Sequence, residues 1–284
     1  MTDADFNIHE VKSRIAQIGE LFSLPDVIVR LEQLTRSQSV SATDIARAIE
    51  SDVALAAKIM KVVNSPFYGF NRVISSINYA IVILGFKAMR NLVLSAFVAG
   101  KCENTIPEFP IVDFWRYAVD SAAATEEIAR FIDSPDSGNA FVAGLLNKIG
   151  LIVMNQYYPA DLAAAVQKKR AENIPLMDAE MELWQFTHYD LGAQLLDHWN
   201  MPAAVVEACR DLRAPTDNSS HLCWLCHLAN ILTQALGFGA TGDELIARLA
   251  PGCLQQLNLP LPKIPEVMAQ VVKKIRAQEQ CDFD

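Results

Sequence analysis

The chain has 284 residues, 51% apolar and 20% charged, with a formal net charge of −9 at pH 7. That is enough apolar material for one large domain or two ordinary ones, in an ordinary globular composition. The charge disfavours a nucleic-acid partner, because the basic runs Lys168-Lys169-Arg170 and Lys273-Lys274-Ile275-Arg276 are short and sit in segments with helical spacing, as solvated helix faces do.

Almost nothing alternates in twos, and a 3.6-residue period predicts an all-α chain. Residues 1–22 start polar and acidic and lack the layout of a secretory signal. The period predicts helices over 7–21 and 25–36, then 41–50 and 52–64, where Ser41 and Thr43 offer capping oxygens and Pro66 forbids continuation. This last pair could suggest a helix-turn-helix, but it offers only Lys58 and Lys61 against Glu50 and Asp52, too little for phosphate-driven binding. NSPFYGFNR, 64–72, follows. Asn64 and Ser65 suit capping and turn formation, while Phe67, Tyr68, Phe70 and Arg72 form a candidate surface for a protein partner.

Helices are predicted next over 75–84, capped by Ser75 or Ser76 and closed by Gly85, and over 86–100. IVILGF at 81–86 is short and flanked by Lys87 and Arg90, so no run is read as the roughly 20 apolar residues of a membrane span. After a proline-containing seam at CENTIPEFPIVD, helices are expected over 111–133, 137–157, 159–172, 175–186, 188–199 and 202–212. A second seam, APTDNSS, precedes 219–237, and 264–278 closes the series. No repeat or low-complexity tract interrupts it.

CWLCH at 223–227 has the spacing of c-type haem attachment, yet it lies in a stretch patterned as a buried helix, without an export signal. Core packing is the expectation. A zinc site from Cys223, Cys226 and His227 would need a fourth ligand that is not evident nearby. The six cysteines are few for this length and fit a reducing, cytoplasmic setting as free thiols. No Ser-His-Asp or Cys-His constellation follows from spacing, and no glycine-rich phosphate loop occurs.

Several segments in one order resemble the HDOD family, bacterial signalling relatives of the HD phosphohydrolases. They are SLPDVIVRLEQL, DIARAIESDVALAAKIMKVVNSPFYG, ISSINYAIVILGFKAMRNLVL, DFWRYAVDSAAATEEIAR, FVAGLLNKIGLIVMNQYYP and HYDLGAQLLDHWNMPAAVVEACRDL, covering about 21–213, with HLCWLCHLAN a further match. Asn64-Ser65 resembles the family's signature pair. The resemblance implies an N-terminal helical bundle, 1–105, and a degenerate HD-like multi-helix bundle, 106–284.

Catalytic HD enzymes hold a divalent metal with a histidine, an adjacent His-Asp pair and a further aspartate, groups that supply neutral imidazole or anionic oxygen. By resemblance these positions fall at Tyr117, at Asn147 and Lys148, and at Asn230. None is a good ligand, and Lys148 brings a cation. His188 matches a family histidine, but one imidazole cannot hold a catalytic metal. On a continuous helix Ala143, Gly144, Asn147 and Gly150 would form a strip of small residues. Asn147 is expected to bond a neighbouring backbone group, and Lys148 to pair with a carboxylate or reach water; in a persisting pocket it would instead offer a cation to a small anionic ligand. The expectation is a signalling module that binds or scaffolds a protein partner, with no metal, cofactor or membrane contact and no catalysis. The alternative is an HD-type phosphohydrolase acting on nucleotides.

Overall fold

A computed structural model describes residues 28, 41–64, 73–100, 106–107, 109, 111–239, 243 and 245–278. Among them helices and two 3-10 turns occur, and no strand. The fold is all-α. The helices expected over 7–21 and 25–36 lie outside the described residues.

The chain divides into two compact units, 24–101 with 273–284, and 1–23 with 102–272. In the first, α1 (Ala42–Glu50) begins with a capping box: Ser41 Oγ accepts from the Asp44 amide, and the Ser41 amide donates back to the Asp44 carboxylate. It buries Ile45, Ala46, Ala48 and Ile49 on one face. In α2 (Val53–Val63) Asp52 caps the start and Leu55, Ile59, Val62 and Val63 are buried. Helix α3 (Ile77–Ala99) is capped by Ser76 and broken at Gly85, whose φ of 80° and ψ of 165° are not helical. The glycine separates the two helical pieces as its lack of a side chain predicts.

The apolar run is nevertheless longer than the sequence reading allowed. Ile77–Ala99 is long and apolar enough to cross a membrane, the one such helix among the described residues. Half of that stretch is buried within the protein, and the break at Gly85 would leave backbone polar groups without helical partners in lipid.

The second unit contains α4 (Ile111–Phe131), α5 (Ala140–Leu146), α6 (Ile149–Tyr157), α7 (Pro159–Glu172), α8 (Leu176–Trp184), α9 (His188–His198), α10 (Ala203–Arg210), α11 (His221–Ala235), the short α12 (Cys253–Gln256) and the start of α13 (Ile264–Gln278). Its core is where α4 packs on α5 and α11, and α9 on α6 and α10. Two points depart from expectation. The single helix foreseen over 137–157 is two, parted at Asn147 and Lys148, where Lys148 has φ −129° and ψ 26°. And α12 lies in a stretch for which no helix was expected.

Candidate functional site

The break at 147–148 is held from both sides by close backbone approach. A side chain on Gly144 would come within 2.7 Å of the Ser121 carbonyl oxygen on α4, and one on Gly150 within 1.9 Å of the His188 carbonyl oxygen on α9. The glycines therefore let α5 sit tightly on α4 and α6 on α9, and the two residues between them are set among three elements. The foreseen strip of small residues exists, but as two contacts on either side of a kink.

Around this joint the matched residues gather. Tyr117, on α4 and fully buried, donates its hydroxyl to Asn230 Oδ1 on α11. The same oxygen accepts from Gln234 Nε2 at 2.9 Å. Asn147 Nδ2 donates to Ser121 Oγ at 2.9 Å, a side chain where a backbone group was expected, and Asn147 Oδ1 is buried without a hydrogen-bond partner. Lys148 forms no carboxylate pair among the described residues. Its Nζ lies 4.8 Å from the centre of the Tyr117 ring, a cation–π contact, and the residue is 4% exposed. Burial pulls the Lys148 ammonium down to about 7, against the attraction of Asp243 and Glu180 and with the repulsion of Arg213. Burial also pushes the Tyr117 phenol well above its ordinary value, so it stays a neutral donor.

His188, the first residue of α9, is anchored by a residue that spacing did not single out. Glu180 on α8 is fully buried and takes the His188 ring Nδ1 at 2.8 Å and the His188 backbone N–H at 3.0 Å. The signal was present: Glu180 shares a helix face with the buried Leu176, Ala179 and Trp184, and an acid in an apolar phase demands a partner. A capping box between Thr187 and Asp190 fixes the start of α9. His188 Nε2 is buried without a hydrogen-bond partner.

These donors do not fit a divalent metal. The matched positions provide a phenol bonded to an amide, a second amide and an ammonium, with no anionic oxygen among them. Glu180 is committed to His188, and Asp243 to the Leu176 amide and Arg213. No group of three or more His, Cys, Asp or Glu placed to hold a metal occurs among the described residues.

CWLCH is core, with Cys223, Cys226 and His227 fully buried on α11. His227 spans two backbone groups: Nδ1 meets the Leu212 carbonyl at 2.8 Å and Nε2 accepts from the Ala250 amide at 2.9 Å. Both ring nitrogens are thus used structurally. Ser134, Asp136 and His221 do come together, but Ser134 Oγ at 3.2 Å and Asp136 Oδ2 at 3.3 Å both face Nδ1 of His221. A nucleophilic triad needs them on opposite nitrogens.

Of the candidate partner loop, Asn64 is described, while Ser65, Phe67, Tyr68, Phe70 and Arg72 lie outside the described residues. Asn64 grips both backbone groups of Ile74: its Oδ1 accepts from the Ile74 amide at 2.7 Å and its Nδ2 donates to the Ile74 carbonyl at 3.0 Å. It also donates to Met60 O at 3.0 Å, closing α2.

A model of the HDOD domain matches residues 21–215. An uncharacterised protein of Treponema pallidum (strain Nichols) is 26% identical over 201 residues, covering 68% of this chain and 38% of that relative. This chain thus spans about two fifths of its length. Among solved structures, an HDOD domain protein of unknown function from Geobacter sulfurreducens aligns with a TM-score of 0.77 at 19% identity, covering 95% of this chain and 99% of that one. A candidate phosphohydrolase from Shewanella amazonensis SB2B gives 0.73 at 20%, covering 95% and 97%. A candidate signal transduction protein from Marinobacter aquaeolei VT8 gives 0.78 at 22%, covering 95% and 63%. At such identities the likeness is one of fold.

Proposed function

Because this chain belongs to the HDOD family, we propose that it is a non-catalytic signalling module of the cytoplasm that binds or scaffolds a protein partner. In this reading an N-terminal bundle, 1–105, accompanies a degenerate HD-like bundle, 106–284. The observation that carries it is Lys148 lying over the Tyr117 ring. A dipositive ion at the matched positions would meet an amine still partly charged near pH 7 and neutral oxygens already bonded to each other, with no anionic ligand, and hydrolysis of this type needs the ion to activate water. The rival, suggested by the likeness to the Shewanella protein, is a metal-dependent phosphohydrolase. Equilibration with manganese followed by metal analysis, with phosphodiesterase and nucleotidase assays, separates the two. Less than stoichiometric metal and no turnover are expected; bound metal with turnover refutes the proposal.

Asn147 Oδ1, an acceptor buried without a partner, favours a second reading in which a small anionic ligand such as a nucleotide donates a hydroxyl or amine proton to it while Lys148 meets the ligand's charge. Titration with nucleotides should then show binding that Lys148→Asp and the milder Lys148→Met both abolish, tighter below pH 7, where the amine is charged. Equal binding by wild type and variants discards this ligand. The protein partner is assigned to the loop of Asn64, Ser65, Phe67, Tyr68, Phe70 and Arg72, whose ends the Asn64 side chain ties together.

A further inference from the structure

The cations of the site have an acid set against them that belongs to no helix. Arg213, just beyond α10, lies 3.7 Å from Asp243 Oδ2, and the same oxygen accepts from the Leu176 amide, at the start of α8, at 3.3 Å. Asp243 falls between α11 and α12. The stretch leaving α11 meets the site at Gly239, where a side chain would stand 2.4 Å from the Tyr117 amide nitrogen. Lys148 lies over the ring of that same tyrosine, and it feels the attraction of Asp243 and the repulsion of Arg213. Two cations and a backbone N–H thus act on one carboxylate.

A guanidinium, an ammonium and a backbone N–H are the donors with which proteins hold phosphoryl oxygens. The site's other acid is not exchangeable, since Glu180 is fully buried on α8 and takes both the ring and the backbone of His188 within 3.0 Å. Asp243 is held there more loosely. Its contacts to Leu176 and Arg213, at 3.3 and 3.7 Å, are long for a hydrogen bond and an ion pair, and 11% of its side chain is exposed. A phosphoryl group has more oxygens than a carboxylate and engages all three donors at once. Asn147 Oδ1, buried without a partner, is an acceptor for a donor elsewhere on the same ligand. We propose that Asp243 is a tethered occupant of an oxyanion seat made by Arg213, the Leu176 amide and Lys148, and that the phosphoryl group of a small ligand binds by displacing it. The inference rests on the reading in which Lys148 serves a small anion, and it adds the other groups that hold the charge and the acid that fills the seat between ligands.

The test is calorimetric titration of the full chain with adenosine monophosphate and with adenosine, which lacks the phosphoryl group. Asp243→Asn keeps an oxygen for the Leu176 amide and loses the charge. It should bind adenosine monophosphate about tenfold tighter than wild type, the gain expected if the acid fills the seat about nine-tenths of the time. Adenosine should gain nothing. Asp243→Glu, still anionic, should gain little, and Lys148→Met added to Asp243→Asn should remove the gain. Asp243→Ser is the second neutral variant, and thermal melts identify which variants are folded. Lys148-dependent binding by wild type that neither neutral variant tightens, or an equal gain by Asp243→Glu, overturns the proposal and leaves the anion reading standing. Absence of adenosine monophosphate binding by wild type and both neutral variants overturns the two together.

Discussion

Lys148 concentrates the chemistry of the site at the residue scale. Its amine titrates near 7 when folded and near 10.5 when unfolded. Below 7 both states hold the proton, so the full cost of burying the charge is present. Between those values the unfolded state binds more protons, so folding stability gains as pH rises, and above 10.5 the gain is complete. Lys148→Met removes this dependence. The melting temperature of the variant minus that of wild type should therefore be most positive below pH 7 and fall as pH increases, as thermal melts across a pH series would reveal. Gly150 gives a second prediction. Alanine there would press a carbon to 1.9 Å from the His188 carbonyl, costing about 3 kcal/mol as overpacking of backbone against backbone, read from the urea midpoint. The resemblance already set Lys148, as a misplaced cation, at one site with Tyr117, but it could not foresee the amine lying over the face of the ring. Tyr117 and Lys148 are far apart in the chain, and the kink that brings them together lies in an apolar run whose periodicity shows no interruption.

Among the elements, caps and breakers were the legible part. Ser41, Ser76 and Gly85 act as their chemistry dictates: hydroxyls accept from the first free amides, and only glycine readily takes the backbone angles found at the break in α3. Gly85→Ala isolates that last effect. A side chain there would meet nothing within 4 Å, so any loss is conformational, about 2 kcal/mol, and should appear as a lowered urea midpoint. The split of α5 from α6 was not legible, because Leu145, Leu146, Ile149 and Ile152 keep an apolar phase straight through it. α12 was missed because four residues are too few to show a period. The Glu180–His188 pair joins two helices across eight residues of sequence, a pairing that only tertiary packing creates.

For the whole molecule, the described thiols are all inside. Cys209, Cys223, Cys226 and Cys253 are buried and free; burial holds Cys209 and Cys226 well above their ordinary range and pushes Cys223 and Cys253 up to about 12. Iodoacetamide at pH 8 should leave these four unlabelled in the native protein and modify them in denaturant, as peptide mass spectrometry would show. The all-α class and helix order were readable at this scale because a 3.6-residue pattern runs nearly end to end. The amide of Asn64 has one further consequence. By gripping both backbone groups of Ile74 it holds that residue against the end of α2 without a covalent bond. The clasp is made by the Asn64 side chain and the backbone of Ile74, so a foreign peptide grafted between them would be displayed with its two ends held together.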